Sequence, residues 1–371
     1  HQRIPVLNSV ICYLCFALRS NVETQGGTWM NEHDVNADPR DLGYFMPGEW
    51  APHTCCWMAW PCRAGLWADS AATMQDYANV ANTIARFEPV KMLVPESGLA
   101  DARRLLNDGV ELLVMAIDDS WARDSGPNFL IGGDELAGSD WVFNAWGEKY
   151  HPYDQDAKMA ERILEHVGAR RFDSWLVAEG GGITVDGEGT VITTESCFLN
   201  KNRNPGKSKQ EIEAELCRTL GAEKVIWLPG DVEETETDGH VDGIAAFIEP
   251  GRVLLEVNSD KTDPHYQVGI DNMRALSGQT DAKGRQLQIE IIEEGIYHEG
   301  VWNGGCSSYV NSYLANGAVV VPAYGYDRDP AAVETYRGLY PDREIVQVSI
   351  NNLALGGGGI HCVTQQQPEM Q

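Results

Sequence analysis

Residues 208–257 read SKQEIEAELCRTLGAEKVIWLPGDVEETETDGHVDGIAAFIEPGRVLLEV, and the argument for the fold starts from this stretch. Ile212, Leu216 and Leu220 recur at helical spacing and a glycine follows, so 208–220 is expected to be an amphipathic helix. A short β-rich run, 225–228, comes next, and two more, 243–248 and 253–257, follow an acidic loop and the string DGHVDG. Helical periodicity recurs in 71–87, 156–167 and 330–339, and further β-rich runs lie at 90–94, 111–117, 191–194, 287–292 and 318–321. The class is therefore α/β. Strands come in twos and threes per helix, which suits ββαβ modules better than a Rossmann chain of alternating single strands and helices. No internal repeat is visible in the letters themselves.

The chain has 371 residues and no Pro/Ser-rich linker or charge run that would divide it. With 43% hydrophobic and 22% charged residues it can bury a sizeable core. Its formal net charge of −27 repels nucleic acid and anionic membranes and suits a cationic small molecule, although most of that charge is expected on solvated surface. The nine cysteines are read as free thiols in a reducing compartment, because the only CxxC, Cys12 and Cys15, has no second pair to complete a zinc site. Cys55, Cys56 and Cys62 read as small buried hydrophobes, and Cys197, Cys217 and Cys306 suggest nothing further. The apolar segment 4–18 is too short to span a bilayer and makes a poor signal peptide. Met30 is the expected natural start, with residues 1–40 an extension ahead of the catalytic domain at 41–371.

Chemistry-bearing residues cluster beside glycines and turns: Asp124 in WARDSGP, Glu179 in AEGGG, His240 and Asp242 in DGHVDG, and Cys362 in GGGGIHC. Read as an extended strand, His240 and Asp242 share a face; that face could be solvated, hold a ligand, or bind a metal. The runs 180–182 and 356–359 lack the phosphate-loop patterns, so they are read as tight turns that bring backbone close to something. Cys362 near the C-terminus, with glycines ahead of it, differs from a structural cysteine in an apolar run. In an extended chain its neighbour His361 would face away. The same alternation would turn Arg123 from Asp124, leaving it to pair with an acid.

Six strings carry a resemblance in order across nearly all of 43–368: GYFMPGEWAPHTCCWMAWP, DDSWARDSGPNFLI, EGGGITVDGEGTVITTESCFLNKNRNP, TDGHVDGIAAFI, SSYVNSYLANGAVVVPAYG and LALGGGGIHCVTQQQP. Together they resemble agmatine deiminases. The resemblance implies a single-domain five-bladed α/β propeller with pseudo-fivefold symmetry, no metal or organic cofactor, a homo-oligomer, a cytoplasmic location and a place in putrescine formation. It also implies a nucleophile at Cys362, a general acid/base at His240, and guanidinium-holding carboxylates at Asp124 and Asp242 with Glu179 beside them. Trp121 is implied near the substrate chain, and an acid for the substrate's far amine is sought in Glu49. Relatives often carry Asn where Gly359 stands, a departure expected to leave nucleophile, base and carboxylates untouched. NGGCSS at 303–308 also departs from the usual form.

On this reading the reaction is hydrolysis of agmatine to N-carbamoylputrescine and ammonia through an S-amidino cysteine. The rival with the same chemistry is a peptidyl-arginine deiminase acting on protein arginine. A silent guanidine-binding protein would lack the nucleophile or the base, both present here. A Cys-His amidase needs an oxyanion hole, which a ring of carboxylates opposes.

Overall fold

The helix expected at 208–220 runs Lys209–Leu220. Ser208 Oγ accepts the Glu211 N–H while the Glu211 carboxylate accepts the Ser208 N–H, a reciprocal cap that satisfies two otherwise orphaned donors. Its far end is a left-handed Gly221 (φ 64°), where an added Cβ would lie 2.0 Å from the Tyr44 carbonyl oxygen, so no other residue fits. Ile212, Leu216 and Leu220 are buried in a core shared with Phe172, Ile183 and Val191. Replacing Leu216 by Ala in such a setting costs about 2–5 kcal/mol.

That helix belongs to a module. Strand Ile183–Val185 pairs antiparallel with Thr190–Thr194, the helix crosses over, and Lys224–Leu228 returns parallel to Thr190–Thr194. The same ββαβ order recurs in Asn128–Gly132, Glu135–Val142, Met159–Val167 and Arg170–Val177. It recurs in Ala245–Glu249, Arg252–Val257, Pro264–Leu276 and Gln288–Glu293, and in Tyr313–Ala315, Ala318–Ala323, Asp329–Leu339 and Glu344–Ser349. A fifth sheet uses both ends of the domain: Thr364–Pro368 pairs antiparallel with His53–Ala59, the helix Ser70–Ile84 follows, and Val90–Val94 and Val110–Val114 complete it. Among the described residues this makes five separate sheets, four with three strands and one with four.

This computed structural model describes residues 38–295 and 305–370, which lie in one compact unit. The apolar segment 4–18, Cys12, Cys15, Met30 and the first residues of NGGCSS fall outside the described residues. Among those described, no helix is long and apolar enough to cross a membrane, and Cys55, Cys56, Cys62, Cys197, Cys217, Cys306 and Cys362 are all free thiols.

The α/β class and the module pattern hold, and the differences have local causes. The helix expected at 156–167 begins as a separate turn, Asp156–Lys158, before Met159–Val167. Helix Pro264–Leu276 was not expected, because its buried face carries Gly269 and Asn272 and so has little apolar periodicity. Asn272 instead accepts the N–H of Gly230 and donates to its carbonyl, tying the helix to the start of the acidic loop.

Candidate active site

Three short turns at sheet ends bring the site together. The one-turn helix Ala122–Ser125 carries Asp124, whose Oδ1 accepts the Gly181 N–H at 2.9 Å and whose Oδ2 accepts Trp146 Nε1 at 2.9 Å. The turn Gly180–Gly182 passes under it. A Cβ on Gly181 would lie 2.6 Å from His240 Nδ1, 2.8 Å from Asp124 Oδ1 and 3.0 Å from Asp242 Oδ2. Three candidate side chains therefore converge on one bare Cα, which is what the glycine run had to admit. His240 and Asp242 do not alternate along a strand as expected; His240 precedes a 3₁₀ turn, Val241–Gly243, and the turn aims both inward.

Cys362 sits in a turn spanning residues 360–363 rather than in extended chain. Asn311 Nδ2 donates to its Sγ at 3.2 Å, and Asp242 Oδ2 lies 3.5 Å from the same sulfur. Asn311 Oδ1 accepts the N–H groups of His361 (2.9 Å) and Cys362 (3.3 Å), so one amide side chain fixes both the turn and the thiol. Gly358 packs where a Cβ would strike Trp121 at 2.3 Å, and at Gly359 a Cβ would come within 2.5 Å of Asn311 Oδ1. The departure at Gly359 is thus not remote: it bears on Asn311, which holds the Cys362 thiol. Cys362, His240 and Asp242 open on a cavity of about 490 Å³. Trp121, Asp124 and Trp146 line an adjoining recess that also reaches Cys362.

Residues 45–368 match the family model described as Porphyromonas-type peptidyl-arginine deiminase. The chain belongs to this family. Within it, the chain is 42% identical over 363 residues to the agmatine deiminase of Ectopseudomonas mendocina (strain ymp), covering 91% of this chain and 99% of that one. It is also 42% identical over 364 residues to the agmatine deiminase of Stutzerimonas stutzeri (strain A1501), covering 90% and 98%. The solved structure of the agmatine deiminase of Enterococcus faecalis superposes with a TM-score of 0.88 at 36% identity, over 91% of this chain and 99% of that one.

In this family member, several residues stand elsewhere than expected. Glu179 does not face the cavity: it is fully buried, its Oε1 taken by Arg203 Nε at 2.7 Å and its Oε2 by His240 Nε2 at 3.2 Å. Both its oxygens are thus engaged, and the carboxylate stands behind the histidine. Glu49 is engaged too, by His361 Nε2 at 2.9 Å and Arg123 Nη1 at 3.4 Å, and it lines neither the large cavity nor the recess. Besides Asp242, the acids that do line the large cavity are Asp231, Glu233, Glu234, Glu236, Glu256 and Glu294, drawn from segments far apart in sequence. His361, expected to face away, points at Asp242 because the turn cancels strand alternation. Arg123 does pair with an acid, Glu49, yet its main partners are Gln365 and Gln366, each at 2.7 Å. Cys197 and Cys306, for which no role was expected, lie beside Glu179 and on the cavity wall respectively. Asn311, Trp146 and Arg203 were not singled out either; the first and third stand inside the recognised strings, with nothing local to mark them.

The electrostatics separate the groups. Burial alone would push His240 down, but Asp124, Cys197 and Glu179 outweigh it and hold the imidazole well above its ordinary pKa. Its Nε2 is occupied by Glu179, while the buried Nδ1 makes no hydrogen bond and stands 3.8 Å from Asp124 Oδ1 at the convergence point. Burial pushes the Cys362 thiol well up, and Asp242 and Asp124 push it further. Burial also raises Asp124, whereas in Asp242 it is overcome by the bond and charge of His361, leaving that carboxyl below its usual range. The surroundings thus favour the charged form of the His240 imidazole and of the Asp242 carboxyl, and the neutral form of the Cys362 thiol. The ligand atoms of Glu179, Cys197 and His240 lie within 4.8 Å of one another, a spacing a metal could use. The Arg203 guanidinium already sits on that Glu179 carboxylate, and its charge opposes a divalent ion there.

Proposed function

We propose that this protein is an agmatine deiminase, using Cys362 as nucleophile and His240 as proton carrier, on a fold whose five sheets are the blades of a propeller. The observation that carries the reading is the convergence of Asp124, Asp242 and His240 on Gly181, with Cys362 Sγ 3.5 Å from Asp242 Oδ2. A guanidinium is a planar cation with five N–H donors, and two opposed carboxylates beside a sulfur suit it. The names of relatives at 42% identity support the choice of agmatine, and the acid-lined cavity suits a substrate with a cationic tail.

In the proposed reaction the bound cation offsets the charges of Asp124 and Asp242 that keep Cys362 protonated, so its thiolate forms as substrate arrives. Sulfur attacks the guanidinium carbon, held at the right distance by both carboxylates. His240 Nδ1 donates its proton to the departing nitrogen, the C–N bond breaks, and ammonia leaves an S-amidino enzyme. His240 then takes a proton from water, the hydroxide adds to the same carbon, and the C–S bond breaks as the hydroxyl proton passes to sulfur, releasing N-carbamoylputrescine and the Cys362 thiol. Glu179, fixed by Arg203, holds the ring from behind throughout and favours its protonated form. The product is one step from putrescine.

The test is ammonia release from agmatine, free arginine and an arginyl peptide in parallel, with Cys362→Ser as control. Turnover of agmatine that vanishes in a folded Cys362→Ser protein is expected. Preference for the peptide would move the protein to the peptidyl-arginine branch, and full activity in Cys362→Ser would remove the sulfur from its role.

A further inference from the structure

We propose that His361 is a positioning residue: an imidazolium clamped between two carboxylates, which holds Asp242 ready for the substrate's guanidinium. This rests on Asp242 being a guanidinium ligand, as above, but its own observation is a pair of contacts. His361 Nδ1 is 2.9 Å from Asp242 Oδ2, and Nε2 is 2.9 Å from Glu49 Oε1. A neutral imidazole has one N–H and can donate to only one of these; two ionised carboxylates at both nitrogens require both N–H groups.

The two acids around the ring favour that state, against burial and the charge of Arg123. Asp242 comes from the turn Val241–Gly243, Glu49 from the loop ahead of His53–Ala59, and Arg123 from Ala122–Ser125. Arg123 reaches Glu49 at 3.4 Å and donates to the His361 carbonyl at 3.4 Å. Cys362 is the chain neighbour, and Tyr336 and Tyr340 share a small cavity with the ring. The charges alternate from Asp242 through His361 and Glu49 to Arg123, which Gln365 and Gln366 anchor. The ring is only 6% exposed, so a charge there is tolerable only with both acids in place.

The consequence falls on the reacting sulfur. The Asp242 oxygen that His361 holds is the one 3.5 Å from Cys362 Sγ. Through it, His361 fixes the carboxylate plane and keeps Asp242 ionised, so the guanidinium meets an anion that has no proton to lose. When His361 deprotonates at higher pH one of the two bonds goes, and KM rises.

Two readouts test this. In the free enzyme, ¹⁵N-histidine labelling with His361→Asn as the assignment control reports the ring directly. Two protonated nitrogens at neutral pH are expected, and one protonated nitrogen overturns the proposal. In Glu49→Gln a neutral amide replaces one carboxylate, so the ring should lose its proton at lower pH, and an unmoved titration counts against it. The second readout is KM for agmatine against pH. His361→Asn sets an amide N–H where Nδ1 stands, so KM should stay near the parent value and lose its basic rise. His361→Ala should raise KM about tenfold or more, with kcat changed less. Equal KM values for the two variants would overturn the proposal. Failure of the parent enzyme to turn over agmatine would instead sink the functional reading and leave the labelling result to stand by itself.

Discussion

Asn311→Asp replaces the donor that touches the Cys362 sulfur, and with it the bond of 3.3 Å from the same nitrogen to the Asp242 carbonyl, while the contacts of Oδ1 stand. The Oδ1 that accepts the His361 and Cys362 N–H groups is retained, so the turn should hold, while the donor 3.2 Å from Sγ becomes an oxygen. With both groups ionised, two unit charges 3.2 Å apart repel by about 5 kcal/mol at an effective dielectric of about 20. That is a rise of about three to four units in the thiol pKa and a loss of about a thousandfold in kcat. KM should not rise, because a further carboxylate attracts the cation. Lower pH should restore part of the rate, since the protonated carboxyl is again a donor. The assay is ammonia release across pH, beside the pH dependence of Cys362 alkylation read by peptide mass. Superimposable alkylation profiles for variant and parent would refute the reasoning, because they would mean that Asn311 does not set the charge on sulfur.

Gly181→Ala puts a methyl 2.6 Å from His240 Nδ1 and 2.8 Å from Asp124 Oδ1, so turnover should be lost while the thermal unfolding profile stays cooperative; an alanine variant of normal kcat would mean that the three side chains need not converge. Glu179→Gln breaks the fully buried pair with Arg203 at a cost of about 3–5 kcal/mol, measurable by denaturant titration. The same change removes one cause of the raised His240 pKa. On the proposed mechanism the protonated imidazole is the acid, so kcat should fall as pH rises through that pKa, and the variant's basic limb should move to lower pH. The stability signs follow: Glu179, held below its ordinary value, stabilises above the unfolded carboxyl pKa of about 4.3, losing this as pH falls through its folded value. His240, held above its ordinary value, stabilises fully below about 6.5 and loses this as pH rises through its folded value. Leu216→Ala, remote from the cavity, should cost about 2–5 kcal/mol with kcat unchanged in the folded fraction.

The sequence by itself determined the class and nominated the candidate reacting groups. Ile212, Leu216 and Leu220 announce a helix because burial selects apolar residues every third or fourth position, and the neighbouring β-rich runs betray a two-to-one excess of strands. Cys362, His240, Asp124 and Asp242 are legible as strings, since the glycines around them are demanded by close approach. What only the tertiary structure decided is which of the acids and histidines face the cavity. Glu179 and Glu49 are drawn behind by Arg203, His240 and His361, and His361 is turned inward by a tight turn where strand alternation pointed it out. Those assignments depend on contacts between residues far apart in the chain, Asn311 with Cys362 and Arg203 with Glu179 among them. A side chain's partner is chosen by the packing of separate sheets, and local periodicity carries no record of it.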